Sequence, residues 1–336
     1  MRIENLWREM ETEANTFGAA AWLTRFALPR AAPALLVAME THHRRRALLL
    51  PLPKDAMPPQ RDWPRCNGLE VFELTLGDEP HLAVRLIDVA CADVFTALAE
   101  DIAPRIATVA SAHEAAVTIL GRLRRWQRFL AAGFAGLSLE RQRGLFGELH
   151  VLLARVLPAL GAKRAVAGWR SPHASHQDFQ FSAASIEVKT TVAKGPPSVR
   201  IASERQLDRV GTRALYLLAV LLDERETDPG VEPVGQNLPD LVAQVKLCLA
   251  GETLDLFDDR LLELGYLQAD ASRYENRRFS LRQERAYRVD DGFPRIVESD
   301  LPSGVGEVSY RLELSACEPF AISVDEMLAR IGELEA

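Results

Sequence analysis

The chain has 336 residues, of which 48% are hydrophobic and 26% charged, with a net charge of −7. That length suits two or three units of ordinary domain size, and the composition fits a soluble globular protein. No apolar run approaches the roughly 18 residues of a membrane span, the charged, amphipathic start Met1–Glu9 lacks a signal-peptide core, and Cys66, Cys91, Cys248 and Cys317 lie too far apart for a CxxC or other metal-ligand spacing. A reducing cytoplasm is therefore the expected setting.

Residues 1–105 read as an α+β domain. A helix over about 3–14 precedes apolar runs near 19–27, 33–38 and 47–51. A Pro-rich loop from Pro51 to Pro64 separates these from runs at Leu69–Leu76 and Leu82–Val89, all read as strands. Asp93 begins a short helix, Val94–Ile102, that should end near Pro104. His42–Arg46 is a basic cluster between two apolar runs, a solvated turn before it is a phosphate contact.

Residues 106–225 form the second predicted unit. Helical periodicity over 109–130 starts at Ser111, with Glu114 three residues on completing a capping box. Its end mixes arginines with Trp126, which suits the core better than a ligand. A second helix runs from Ser138, a plausible N-cap, to about Leu157, with Leu145, Leu149, Leu152 and Val156 along its buried stripe. Glu148 lies inside that stripe. A carboxylate there is either paired, for instance with an arginine, or functional, because an unpaired buried charge is costly. A short strand is expected over Lys163–Trp169, followed by a loop containing His173 and His176, whose Pro-containing setting argues against a zinc pair.

The stretch Asp178-Phe-Gln-Phe-Ser-Ala-Ala-Ser-Ile-Glu187-Val-Lys189 alternates strictly and reads as a β-hairpin. Phe179, Phe181, Ile186 and Val188 take one face; Asp178, Glu187 and Lys189 take the other. With a turn at Ala183-Ala184, Gln180 would pair with Glu187 and Asp178 with Lys189. Two carboxylates and an ammonium at cross-strand distance can hold a hard cation beside a positive group. Val199–Ala202 is a short strand, Ser203 caps a helix containing Glu204–Gln206, and Leu215–Leu222 is a strand buried on both faces.

Asp223–Pro239 is polar and linker-like, and residues 226–336 form a C-terminal α+β extension. Helices are expected at Leu238–Leu249 and Leu254–Leu264, the latter stopped by Gly265. Strands follow at Arg278–Leu281, Ala286–Val289, Arg295–Val297 and Val305–Leu314, then a terminal helix from Ser323 or Asp325. The aromatic and basic residues between Tyr274 and Arg288 suit either a nucleic-acid contact or an ordinary exposed hairpin.

Charge is unevenly spread. Residues 120–210 carry 15 Lys and Arg against 6 Asp and Glu, while the remainder carries 25 against 41. Three of the six acids are Glu148, Asp178 and Glu187. A basic surround with a small acidic pocket suits a metal-dependent enzyme acting on a polyanion. Magnesium takes oxygen ligands and keeps several waters. Asp178, Glu187 and the Val188 carbonyl can supply ligands, and Glu148 can bind a second ion or orient water. Lys189 would stabilise charge at phosphorus.

These residues resemble the PD-(D/E)XK nuclease superfamily. Glu148 lies on the first helix, Asp178 on a core strand, and Glu187-Val188-Lys189 stands as E-x-K on the next. The helix-strand-strand-strand-helix-strand order matches as well. Gly144-Leu-Phe-Gly-Glu148, His176-Gln-Asp178-Phe, Ile186–Thr190 and Ile201–Leu207 are similar to a bacterial branch associated with restriction-type defence. The superfamily likeness spans roughly residues 110–225; the branch likeness, with Phe293-Pro-Arg-Ile and Tyr310, extends over the chain. Gln177 replaces the motif proline. Gln206 matches the glutamine that follows the core in some members, but Val210 stands where a Gln-x-x-x-Tyr motif has tyrosine.

The resemblance implies an α/β fold with a mixed sheet, a restriction-endonuclease-like αβββαβ core. It also implies a Mg²⁺-dependent endodeoxyribonuclease, with Mn²⁺ a possible substitute, acting in restriction or phage defence. Glu148, Asp178, Glu187, Lys189 and Gln206 would be its catalytic residues. The alternative is a catalytically silent DNA-binding or assembly subunit. Expected partners are DNA, other defence subunits and a second copy of the chain.

Overall fold

The computed structural model describes residues 3–15, 21–28, 33–66, 68–131, 136–170, 175–227 and 233–335. Residues 1–136 with 267–269 form one compact unit, and residues 137–266 with 270–336 form a second.

In the first unit, α1 (Ile3–Ala14) precedes a five-stranded antiparallel sheet. Its strands are β1 (Trp22–Phe26), β2 (Leu36–Glu40), β3 (Arg45–Pro51), β4 (Leu69–Leu76) and β5 (Glu79–Leu86), in the order β1-β2-β3-β5-β4. Helices α2 (Ala92–Ile106) and α3 (Ala112–Ala131) follow. Helix α2 runs through Pro104 rather than ending there. The Ser111 hydroxyl accepts the Glu114 N–H, as the capping motif requires. Trp126 is buried, its indole donating to Asp101. The basic cluster resolves into a turn and one structural cation. Arg46 is 6% exposed, ion-paired with Glu4 and Glu11, and stacked over Trp7.

The second unit begins with α4 (Leu139–Val151), where Ser138 accepts the Arg141 N–H as N-cap. A π-helical turn, Leu152–Val156, links it to α5 (Leu157–Leu160). Residues 163–169 are not a strand. They belong to α6 (Ala162–Gly168), after which Trp169 forms a single antiparallel bridge to Phe179. A short apolar run carries too little period to separate the two states.

The central mixed sheet has the order β12-β10-β9-β7-β6. It contains β6 (Phe179–Gln180), β7 (Ala184–Thr191), β9 (Ala214–Glu226), β10 (Arg277–Arg288) and β12 (Ala321–Ile322), with β7 parallel to β9. Strands β8 (Ser198–Ile201) and β11 (Tyr310–Glu313) form a separate antiparallel pair. Strand β9 is buried on both faces, as its continuous apolar run requires. Tyr216, Leu218, Val220 and Leu222 join the core under the helices; Leu215, Leu217, Ala219 and Leu221 join the one that includes residues of β8 and β11.

Four expectations are revised. Residues 203–211 contain no helix; they are mostly turns, with the Ser203 hydroxyl accepting the Arg205 N–H. Arg278–Leu281 and Ala286–Val289 merge into β10, which absorbs a bulge at Leu281–Gln283. Arg295–Val297 is not a strand, and Val305–Leu314 contributes only β11. The arginines of β10 are not a free basic face, since Arg277, Arg278, Arg282 and Arg288 each face a carboxylate. Helices α7 (Leu238–Leu247), α8 (Gly251–Glu263) and α9 (Val324–Glu335) complete the unit.

Glu284 of β10 anchors the first helix to the sheet. It meets His150 of α4 at 3.2 Å and Arg155 of the π turn at 2.5 Å. Burial alone would raise its pKa, but these two partners pull it down to about 2. Such a carboxylate stabilises the fold above its unfolded pKa, and the contribution is lost as pH falls through the folded value. The Glu284 side chain is 5% exposed but Arg155 is 35% exposed, so solvent screens part of the pairing. Glu284→Gln should therefore cost about 2 kcal/mol at neutral pH. Urea unfolding should show the deficit shrinking as pH falls from about 4.5 towards 2.

Candidate functional site

The hairpin keeps the predicted faces with a different register. Phe179 lies opposite Ile186 and Gln180 opposite Ser185, and the Phe181 N–H donates to the Ala184 carbonyl. The turn is therefore Ser182-Ala183, not Ala183-Ala184. A distant group selects it: Glu335 of α9 accepts hydrogen bonds from the Ser182 hydroxyl and the Ala183 N–H. A shift of two residues preserves every facing. Phe179, Ile186 and Val188 are buried in the helix-side core with Phe181 packed against it. Asp178 comes level with Glu187 instead of Lys189, and its Oδ2 accepts the Val188 N–H at 2.7 Å.

Glu187 is fully buried. Neither of its oxygens has an aligned hydrogen-bond donor, although Lys189 Nζ stands 2.6 Å from Oε1. The Lys189 side chain is 15% exposed, so the pocket opens to solvent there. Lys189 Nζ also donates to Gln206 Oε1 at 3.0 Å, and the same oxygen accepts the Ala202 N–H at 2.7 Å. Gln206 thus fixes the lysine head group. The Gln177 side chain in turn donates to the carbonyls of Arg205 and Gln206.

Glu148 is held by an indole rather than an arginine. Trp169 Nε1 donates to its Oε2 at 2.8 Å, and the ring packs on Phe257. Nothing in the spacing of the sequence singles out Trp169 for that contact. Two glycines make the approach possible. A Cβ on Gly147 would lie 2.0 Å from Thr190 Oγ1 of β7, and one on Gly168 would lie 2.3 Å from the Phe181 ring. Each glycine immediately precedes a residue of the site.

The electrostatics follow from crowding. Burial, then the Asp178 charge, pushes Glu187 up to about 8 despite Lys189. Burial and the neighbouring Asp178 hold Glu148 well above the usual carboxylate range, against the Trp169 hydrogen bond. Burial also raises Asp178, opposed by Lys189 and the Val188 N–H. Burial disfavours the Lys189 charge, but Glu187 and then Asp178 outweigh it and keep the ammonium protonated.

Residues 3–315 match the family model described as "Putative PD-(D/E)XK family member, (DUF4420)". The chain belongs to this PD-(D/E)XK family. No curated protein and no solved structure gives a significant match. Family membership suggests a nuclease, and PD-(D/E)XK nucleases generally use divalent metal ions.

The donor set fits such an ion. Three carboxylates surround one ammonium, and the buried Glu187 oxygens lack aligned donors. Among the described residues, no three His, Cys, Asp or Glu side chains are grouped so as to hold a metal ion between them. Magnesium needs no such group, since it binds through one or two carboxylates and keeps several waters. His173 lies outside the described residues, and His176 is exposed. The structure describes no helix long and apolar enough to cross a membrane.

Gly147→Ala should lower stability by about 2 kcal/mol, because the added methyl must push α4 away from β7. Thr190→Ala removes the blocking hydroxyl and should restore part of that loss in the double variant. A thermodynamic cycle from urea unfolding tests the coupling; simple additivity would refute this packing account.

Proposed function

We propose that this PD-(D/E)XK protein is a Mg²⁺-dependent endodeoxyribonuclease that hydrolyses DNA phosphodiester bonds in a restriction or phage-defence system. The observation that carries the reading is the buried Glu187 carboxylate, without an aligned donor, beside Asp178 and Lys189. Asp178, Glu187 and the Val188 carbonyl are the proposed cation ligands, with Glu148 serving a second ion or orienting water. When bound, the cation offsets phosphate charge and acidifies water. Manganese suits the same oxygen donors.

The chain's own groups divide the remaining work. Lys189, placed by Glu187 and Gln206, brings positive charge to the phosphorus-bound oxygens. Trp169 keeps the Glu148 carboxylate in one orientation. The basic excess over residues 120–210 favours a polyanionic substrate. All four cysteines are free, which suits a reducing cytoplasm. Other defence subunits, or a second copy supplying a second site, are the proposed protein partners.

Purified protein is incubated with plasmid and linear DNA in Mg²⁺, Mn²⁺ or EDTA. Cleavage should require the metal and fall at least about 100-fold in Asp178→Ala, Glu187→Gln and Lys189→Ala. Independently, Mg²⁺ should raise the melting temperature of the wild type but not of Glu187→Gln. DNA binding that is equal in all forms, with no cleavage in any, would instead support a catalytically silent DNA-binding subunit.

A further inference from the structure

We propose that Arg170 is a substrate-binding residue of this site, gripping a phosphate of the DNA backbone; the inference rests on the nuclease reading above. The bridge between Trp169 and Phe179 is extended by a hydrogen bond from the Arg170 N–H to the Asp178 carbonyl, 2.8 Å long. Arg170 is therefore the cross-strand neighbour of Asp178. Directly opposed residues of an antiparallel pair carry their side chains on the same face. Among the described residues no carboxylate forms an ion pair with Arg170; the cation acting on the Asp178 carboxyl is Lys189. The Arg170 Nε is shielded from water and has no acceptor.

The Nε atoms of Arg260, Arg278 and Arg288 are likewise shielded without an acceptor, but each of those arginines faces a carboxylate. Arg143, Arg155, Arg277, Arg282, Arg285 and Arg288 each hold a carboxylate. Leaving a shielded guanidinium donor without an acceptor is costly, and folding alone gives no return for it. A guanidinium fork matches the paired oxygens of a phosphodiester, and an anion beside it would offset a charge that no carboxylate among the described residues meets. The need for a cation there is also clear. The site carboxylates repel a phosphodiester once ionised, and Lys189 is already engaged by Glu187 and Gln206. Arg170 brings positive charge that no acid among the described residues pairs with.

The test compares full-length wild type, Arg170→Gln, Arg170→Lys and Arg164→Gln, the last an exposed arginine of α6. Cleavage of a linear duplex in Mg²⁺ should show KM about tenfold higher in Arg170→Gln, with kcat little changed. The slope of log affinity against log salt should fall by about 1. Arg170→Lys should recover only part of the loss, because it keeps the charge without the fork. Arg164→Gln should match the wild type. Without DNA, Arg170→Gln should melt at the same temperature or higher, with unchanged Mg²⁺ affinity. An unchanged KM overturns the proposal, as does a lowered melting temperature or weakened Mg²⁺ binding accompanying the KM change. If the wild type cuts no DNA, filter binding of the labelled duplex decides separately. Weaker binding by Arg170→Gln keeps the phosphate contact while the cleavage reading falls; equal binding overturns the contact.

Discussion

Three carboxylates share one ammonium, with Glu187 fully buried and Glu148 and Asp178 half-buried, and the local structure is arranged around that imbalance. Glu187 cannot be both fully buried and ionised at low cost with only Lys189 beside it, which is why its pKa is driven to about 8. Replacing Glu148 and Glu187 by apolar residues of similar size would relieve the crowding. Stability therefore does not account for this cluster, whereas a bound cation would. The neighbouring contacts hold the charges in place. Trp169 fixes Glu148, the Val188 N–H fixes Asp178, and Gln206 fixes Lys189. Such preorganisation has value only if something enters the pocket.

Holding the cluster requires close backbone approach, and the two glycines show how the chain achieves it. Gly147 lets α4 meet β7, and Gly168 lets the end of α6 meet the hairpin. Farther along the same helical stretch, His150 and Arg155 lock onto Glu284, so the helix bearing Glu148 is tied to the sheet by charge as well as by packing. The π turn at Leu152–Val156 lies within this anchored segment. The position of Glu148 thus depends on residues from β7, α6 and β10, which is why the site draws on nearly the whole second unit.

Much of this was readable in the sequence, for a physical reason. Strand facing depends only on parity, so the Asp178–Lys189 stretch revealed its core and polar faces despite a register two residues off. The register itself was hidden because Glu335, more than 150 residues away, selects the turn. Glu148 stood out as a carboxylate in an apolar helical stripe, but its partner did not, since an indole contact leaves no spacing pattern. Residues 163–169 and 203–211 were misassigned because short segments carry little periodic information. In the second, Ser203 makes the local turn contact that also resembles a helix cap. Sequence charge counts likewise could not separate the arginines neutralised along β10 from Arg170.

That last distinction sharpens how a basic region should be read. The excess of Lys and Arg over residues 120–210 is an average over cations with very different surroundings. Arg143 and Arg155 spend their charge on Glu224 and Glu284, acids that lie beyond the segment, and act as structural ties. A phosphate contact needs the opposite: a guanidinium close to the site whose donors the protein leaves unsatisfied. Burial makes that condition costly in the free protein, so only a few positions can meet it. Arg170 meets it next to Asp178, through the same two-residue stretch whose indole holds Glu148. A single turn of chain, Trp169-Arg170, therefore joins the orientation of a carboxylate to the placement of an uncompensated positive charge.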